Sequence, residues 1–462
     1  MSLRTIDRSQ LPARPAAAVR VLHTSDWHLG VAVRNEPRDR DHDAVLSELV
    51  EVAAAAGPDL VVHTGDLFNG GRPGMADFGR AIRVLRELAD VAPVVVMAGN
   101  HDSAVALETL GVAVSDPVPE LVAAGTYDPD ATCPARIRVL HRPTSAPGGA
   151  VATFPTRAGG RLRLVALPFV HANRVAGEWE DVLTSHSTYT DGIRKICDLL
   201  TSAAFADFDA ASDVAVFASH LHVSGARTST EKEIHVSSEY ATDPAHLSPD
   251  YGYLAFGHIH IAQAVAASRG RYAGSILEVD FGEEGEAKQV VVADLTPGRP
   301  TAIHDVALRA GRRIHRVTAP YSRLSEHATA IGDGLVEVTI GPEEGGGEGA
   351  ITLEIPGFDS LAAAVHDALP DATIVGVLDG RRPETAVADD LHIPETTETP
   401  AELFRGWLAE SGSPLLARYS TGHADPERIA RMFEEIHTAV TTDSEVELDG
   451  LARLLTLVEG AD

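Results

Sequence analysis

The chain has 462 residues, 44% hydrophobic and 23% charged, with a net charge of −29 and only two cysteines, Cys133 and Cys197. These values fit a folded protein of two or three domains. They exclude a fibrous or wholly disordered chain, whole-surface attraction to nucleic acid and a disulfide framework or thiolate zinc site.

The first 18 residues read as an N-terminal extension without the apolar core of a signal peptide. From there the chain predicts a strand over Val19–Thr24 and a helix over His42–Ala56, with Val45, Leu46, Leu49, Val52 and Ala53 on one face. A strand over Leu60–Thr64, a helix over Phe78–Leu88 and a strand over Val94–Ala98 follow, so the order is that of βαβ units and a parallel sheet. Asp116–Gly160 shows no helical period. Further strands are predicted over Arg161–Leu167, Asp213–Ser219, Tyr253–Phe256, Arg271–Ala273 and Gln289–Leu295, with a helix over Asp191–Leu200. One α/β domain over 19–297 accounts for this half. After the break at Thr296–Thr301, residues 302–385 predict a small α/β domain with a helix near Ser360–Leu369 and a Gly/Glu-rich loop, Gly341–Gly349. Residues 386–400 read as an acidic linker and 401–462 as a helical segment. No apolar run spans a bilayer, so a cytoplasmic protein without membrane contact is expected. Nearly all basic residues are Arg; Lys195, Lys232 and Lys288 are the only lysines.

The chemistry lies at the strand ends. Ser25-Asp26-Trp27-His28 follows the first strand, Gly65-Asp66 the second and Gly99-Asn100-His101-Asp102 the third. Ser219-His220 and Gly257-His258-Ile259-His260 follow two later strands. In open α/β sheets ligands bind beyond the carboxyl ends of the strands, so the clusters are expected to converge. Asp26 and His28, two residues apart, are expected to point the same way. Imidazole, carboxylate and amide donors without thiolate suit Mn, Fe or Zn, and a carboxylate shared by two ions is the arrangement that activates water and polarises phosphoryl oxygens. His23 and His63 read as satisfied core residues and His42 as a capping or surface residue. His222 shares a face with His220 but reads as structural, and His171 and His235 lack supporting neighbours. Arg34, Arg38, Arg40 and Arg72 follow the first two clusters and are either phosphate contacts or solvated loop residues.

The ordered set D-x-H, G-D, G-N-H-D, H and G-H-x-H resembles that of the calcineurin-like metallophosphoesterases. The flanking text (SDWHLG at 25–30, TGDLFNGGRP at 64–73, AGNHDS at 98–103, SHLHVSGA at 219–226, GHIHIAQ at 257–263, RYAGS at 271–275) resembles the branch of bacterial nuclease subunits that work with an SMC-like ATPase. The resemblance implies an αββα sandwich with a small capping domain that binds DNA and a helical C-terminal segment that grips the ATPase. It implies a manganese ion held by Asp26, His28, Asp66 and His260, and a second held by Asp66, Asn100, His220 and His258, with Asp66 bridging. His101 would act on the scissile phosphate or leaving oxygen, and Asp102 would orient it or simply cap the turn. The implied activity is 3′→5′ exonuclease action on duplex DNA and endonuclease action on single strands or hairpins, by a homodimer within a heterotetramer. Ser219, where many relatives have Gly, and Asn69, where relatives carry His or Asp, depart from the pattern; Asn69 therefore bears on how substrate is turned. A small-molecule phosphodiesterase of the same superfamily and a non-catalytic scaffold for the ATPase are the competing readings. For the C-terminal helices, packing within the domain competes with partner binding.

Overall fold

The structure, a computed structural model, describes residues 11–380 with breaks at 115–135, 145–148, 157–159, 172–187 (179 and 182 aside), 230–240, 267–268 and 344–359 (355 and 358 aside). The chain separates into two compact units, 1–381 and 382–462. The linker at 386–400 and the helical segment at 401–462 lie outside the described residues.

In the first unit, β1 (Val19–Thr24), the short pair β2 (Ala32–Val33) and β3 (Glu36–Pro37), α1 (Asp39–Ala56), β4 (Leu60–His63), α2 (Met75–Ala89), β5 (Val94–Met97) and α3 (Ala104–Val114) come first. Then follow β6 (Ile137–Leu140), β7 (Val151–Pro155), β8 (Arg161–Leu167), α4 (Tyr189–Ala204), β9 (Val214–His220), β10 (Tyr253–Gly257), β11 (Gln263–Val265), β12 (Gly270–Tyr272), β13 (Gln289–Leu295) and β14 (Ala302–Ala307). They form two six-stranded sheets, in the orders β14-β13-β1-β4-β5-β6 and β11-β12-β10-β9-β8-β7. Alternation along the strands sorts the core. Val19, Val21, Leu60, Val62, Val95 and Met97 face Leu162, Leu164, Val216, Ala218 and Ala255 between the sheets. Leu22, Val61, Val94 and Val96 face the opposite way, onto Leu46, Leu49, Leu85 and Leu88 of α1 and α2. Ile193, Ile196 and Leu200 of α4 cover the outer face of the second sheet against Phe217 and Phe256. The result is the expected αββα sandwich.

Local sequence sets the helix ends. Gly57, at φ 57°, closes α1 by donating its N–H to the Ala53 carbonyl at 2.9 Å, the left-handed cap that glycine adopts without penalty. Thr188 caps α4 by accepting from the Asp191 N–H. Helix α3 is absent from the sequence reading. Val105 and Val112 stay exposed while Leu107, Leu110 and Val114 are buried, so its polar–apolar contrast is weak.

Two boundaries differ from expectation. β14 pairs with β13 over Ala302–Ala307, so the large sheet extends past residue 297. Residues 11–18 are tied to the large domain: Arg14 pairs with Asp59 and donates to the Ala18 carbonyl. The small domain is a parallel sheet of β15 (Ile314–Ala319), β16 (Leu335–Ile340) and β17 (Thr373–Asp379), covered by α5 (Leu361–Ala368). Phe281 and Val33 of the large domain pack onto Ile314 and Leu335 of the small one.

Candidate metal centre

β1, β4 and β5 are parallel neighbours, so the loops after them leave the sheet side by side. β9 and β10 do the same in the facing sheet. The first two loops run together: the Asp26 N–H donates to the Gly65 carbonyl at 3.0 Å, His28 N–H to Asp66 at 3.1 Å and Leu29 N–H to Leu67 at 3.0 Å. Asp26, His28, Asp66 and His258 all have left-handed backbone, with φ of 50, 46, 54 and 96°. Asp26 and His28 therefore meet through two backbone kinks and not through strand alternation.

Glycines let the loops close in. A Cβ on Gly65 would strike the His220 ring, one on Gly99 the Asp66 carboxylate and backbone N, and one on Gly257 the Thr64 carbonyl and Ser25 Oγ.

The structure brings the seven expected ligands together. Ligand atoms of Asp26, His28 and His260 lie within 4.8 Å of one another, as do those of Asp26, Asp66 and His220, and those of His28, Asp66 and His101. His28 Nε2 is 3.1 Å from His260 Nε2. On the other side, Asn100 Oδ1 is 2.9 Å from His220 Nε2 and 2.8 Å from His258 Nδ1. Asp66 stands between the groups: Oδ2 is 3.7 Å from His28 Nε2 and 3.4 Å from His220 Nε2, while Oδ1 accepts from the His101 N–H at 2.8 Å.

This donor set fits divalent cations. It is buried, it mixes imidazole, carboxylate and amide oxygen, and ligand atoms of His28, His260, Asp26, Asp66 and His220 crowd within 4.8 Å of one another in overlapping groups. The electrostatics agree. Burial opposes ionisation of Asp66, but the charges of His220 and His28 and the His220 hydrogen bond hold its carboxyl well below the usual range. Burial works to lower His220, yet Asp66, with Asp26 behind it, raises it to about 9. Burial, then His260, pushes His28 down to about 3, and burial pushes Asp26 up to about 6. The centre without metal thus keeps a proton on His220 beside an ionised Asp66.

His101 is half-buried, and its Nδ1 is 3.0 Å from the Asn69 carbonyl. A neutral ring there donates Nδ1–H to that carbonyl and leaves Nε2 with the lone pair. Asp102 does not hold His101. Its carboxylate accepts from the backbone N–H groups of Leu67 at 3.1 Å, Phe68 at 2.9 Å and Gly99 at 2.9 Å, so it ties two ligand loops together. Burial and the nearby Asp66 raise it to about 6.

The arginines part company. Arg38, a candidate phosphate contact or solvated loop residue by its sequence position, is fully buried. Its Nε donates to Asp41 Oδ2 at 2.7 Å and its two terminal nitrogens donate to the carbonyls of Glu278 at 2.8 Å and Arg312 at 2.7 Å. A guanidinium so placed is withdrawn from any phosphate. Arg34 pairs with Glu337 of the small domain at 2.9 Å. Arg40 and Arg72 are exposed, on the first turn of α1 and ahead of α2, and the Asn69 side chain is exposed beside Arg72's loop.

The other histidines are structural or lie elsewhere. His23 bridges the Tyr253 hydroxyl and Thr64 Oγ1 at 2.9 Å each. His63 packs edge-on against Trp27, and His42 Nε2 lies 2.8 Å from the Trp27 carbonyl. His171 packs against Phe169, His222 is buried, and His235 lies outside the described residues.

Two contributors carry no motif. Phe169 lies 5.9 Å, ring to ring, from both His220 and His258. Glu283 Oε1 receives His260 Nδ1 at 2.7 Å. Burial alone would raise Glu283, but the His260 bond and Lys288 hold it well below the carboxylate range.

Comparison with known proteins agrees with this geometry. The family model described as calcineurin-like phosphoesterase matches residues 19–262, and the chain belongs to that family of metal-dependent phosphoester hydrolases. It is similar to SbcD of the SbcCD nuclease from Bacillus subtilis (strain 168), with 29% identity over 353 residues, 74% of this chain and 81% of that one. It is similar also to the SbcD proteins of Escherichia coli (strain K12), 28% identical over 62% of this chain and 68% of that one, and of Rhodobacter capsulatus, 28% identical over 61% and 67%. Among the described residues no helix is long and apolar enough to cross a membrane.

Proposed function

We propose that the chain is a manganese-dependent DNA nuclease, the catalytic component of a complex with an SMC-like ATPase. The observation that carries the chemistry is the shared carboxylate: Asp66 Oδ2 faces His28 Nε2 on one side and His220 Nε2 on the other. Asp26, His28, Asp66 and His260 would hold one cation and Asp66, Asn100, His220 and His258 the other. Bound cations would supply an ionised water and neutralise charge on the phosphate. His101, oriented by the Asn69 carbonyl, presents Nε2 to substrate; in its imidazolium form it gives the Nε2 proton to the leaving sugar oxygen and returns to the neutral ring with Nδ1–H still on that carbonyl. Arg40 and Arg72 remain candidates for phosphate contact, and the Asn69 side chain for substrate placement; Arg34 would first have to leave Glu337.

DNA as substrate rests on the likeness to the three nuclease components, as do 3′→5′ action on duplex ends, cleavage of single strands or hairpins, the capping role of the small domain, ATPase binding by residues 401–462, the dimer within a heterotetramer, a role in DNA repair and a cytoplasmic location. The test is digestion of linear duplex DNA by purified protein with Mn2+, alongside a cyclic nucleotide. Expected is DNA degradation that Asp66→Ala abolishes. Full activity in that variant, or turnover of the cyclic nucleotide in preference to DNA, refutes the reading. Deletion of 401–462 is expected to abolish ATPase binding.

A further inference from the structure

Glu283 sits outside every motif that the sequence offered, yet it is fully buried and its carboxylate is the hydrogen-bond partner of one proposed ligand. His260 Nδ1 lies 2.7 Å from Glu283 Oε1, and His260 Nε2 lies 3.1 Å from His28 Nε2 at the opposite end of the ring. A carboxylate at Nδ1 accepts that proton, so the lone pair is left on Nε2, the nitrogen that faces Asp26 and His28. The carboxylate is itself fixed. Its Oε2 receives Lys288 Nζ at 2.7 Å, Ser275 Oγ at 3.1 Å and the Val279 N–H at 3.3 Å. Lys288, one of three lysines in the chain, is also buried; it donates to Ser275 Oγ at 2.8 Å and Glu286 at 3.0 Å. Burying a charge pair costs desolvation that its attraction seldom exceeds, so the pair contributes little net stability. Its evident effect is to hold an anion at a fixed point behind His260.

We propose that Glu283 is the positioning residue of the metal centre: it fixes the tautomer and ring orientation of His260, and Lys288 and Ser275 fix Glu283. This rests on the reading of His260 as a ligand. The backbone supports the placement. The Ser275 N–H donates to the His260 carbonyl at 3.2 Å, and Gly274, at φ 79°, leaves no room for a Cβ against that carbonyl. The segment bearing Ser275 is thereby pressed onto the His260 loop.

Outer hydrogen-bonding partners of ligating histidines are worth roughly 10–100-fold in metal affinity. The test is calorimetric titration of the full chain with Mn2+, for the wild type, Glu283→Gln, the charge-neutral pair Glu283→Gln/Lys288→Met, and His260→Ala. The melting temperature in EDTA reports on folding, and the visible spectrum of the Co2+-loaded protein reports on ligand geometry. Expected are two binding events in the wild type. One of them is weakened roughly 10–100-fold in both Glu283 variants and lost in His260→Ala. The Co2+ bands shift, and the melting temperature of the charge-neutral pair in EDTA stays at the wild-type value. Wild-type affinity and spectrum in both Glu283 variants, with one event lost in His260→Ala, overturn the positioning role alone. Two undiminished events in His260→Ala overturn the ligand reading beneath it. Because the readout is metal binding, an error in the DNA assignment leaves the result intact.

Discussion

Arg38 is placed differently by its sequence position and by its contacts in the fold, and a single substitution decides between the two. Replacing it by Met keeps most of the aliphatic stem and removes the guanidinium. Asp41 loses its 2.7 Å bond to Arg38 but retains Arg312, whose nitrogens lie 3.0–3.2 Å from its two oxygens, so the carboxylate is not orphaned. The larger loss falls on the carbonyls of Glu278 and Arg312, which give up donors at 2.8 and 2.7 Å. At about 1–3 kcal/mol for each buried polar group left unsatisfied, and with some relaxation, the cost comes to about 3 kcal/mol. At roughly 2–4 °C per kcal/mol for a domain of this order, the melting temperature should fall by about 6–12 °C. Differential scanning calorimetry in EDTA measures this, and Mn2+-dependent DNA digestion is followed at a temperature where both proteins are folded. Expected are a large thermal loss and an unchanged KM. An unchanged melting temperature with a raised KM would show that Arg38 reaches substrate and would refute its structural role.

Four further outcomes follow from the same geometry. His101→Gln should lower turnover by roughly 10²–10⁴-fold in single-turnover digestion and leave calorimetric Mn2+ binding intact. Gly99→Ala drives a methyl into the Asp66 carboxylate and backbone N; it should cost about 1–3 kcal/mol in urea unfolding and weaken Mn2+ binding. His220, raised to about 9 by Asp66 against the effect of burial, is charged at neutral pH and must be neutral to bind metal. Binding should therefore release a proton, and affinity should rise about tenfold per pH unit below 9, as measured by calorimetry in buffers of different ionisation enthalpy; zero release overturns this. Asp41 is held below the usual carboxylate range: burial works to raise it, but Arg312 and Arg38 outweigh that. Its contribution to stability is present above about pH 4, the unfolded value, and is lost as pH falls through the folded one. The acid limb of the urea midpoint in EDTA should flatten in Asp41→Asn.

The αββα sandwich was legible because its central strands are short, continuous apolar runs, and the five that carry the site each end in a polar cluster. The ligand positions were legible for the same reason: a buried strand that stops at Asp-x-His or Gly-Asn-His has few other uses for such residues. What the sequence concealed depends on contacts across long separations. Arg38 precedes an amphipathic helix and looks solvent-facing; its partners Glu278 and Arg312 are 240 and 274 residues away. Glu283 lies in the acidic run Phe281–Glu286, where nothing marks one glutamate as buried and the next as exposed. Asp102 was placed in the right loop, but three backbone N–H groups claim its carboxylate, and no side-chain pattern records a backbone donor. β14 follows a Pro/Gly break that reads as a domain boundary, although the chain turns back there to pair with β13.

The local choices around the centre work against the stability of the metal-free chain. Asp26, His28, Asp66 and His258 have left-handed backbone, which costs a residue with a side chain about 1–3 kcal/mol. Asp26 and Asp66 are buried carboxylates, and His28, His220, His258 and His260 are buried beside them. Within β1 the buried Arg20 and His23 find partners in Asp294, Tyr253 and Thr64, so the cost is concentrated at the rim beyond the strand ends. A proton on His220 offsets part of the negative charge, but one proton cannot satisfy donors that face inward from five loops. Cations can, and they favour the folded chain by mass action, by about 2.7 kcal/mol at a hundred times the dissociation constant. The strained loops, the glycines beneath them and the buried Glu283–Lys288 pair are therefore parts of one arrangement, in which the folded rim is fully stabilised only when its ligands have metal to hold.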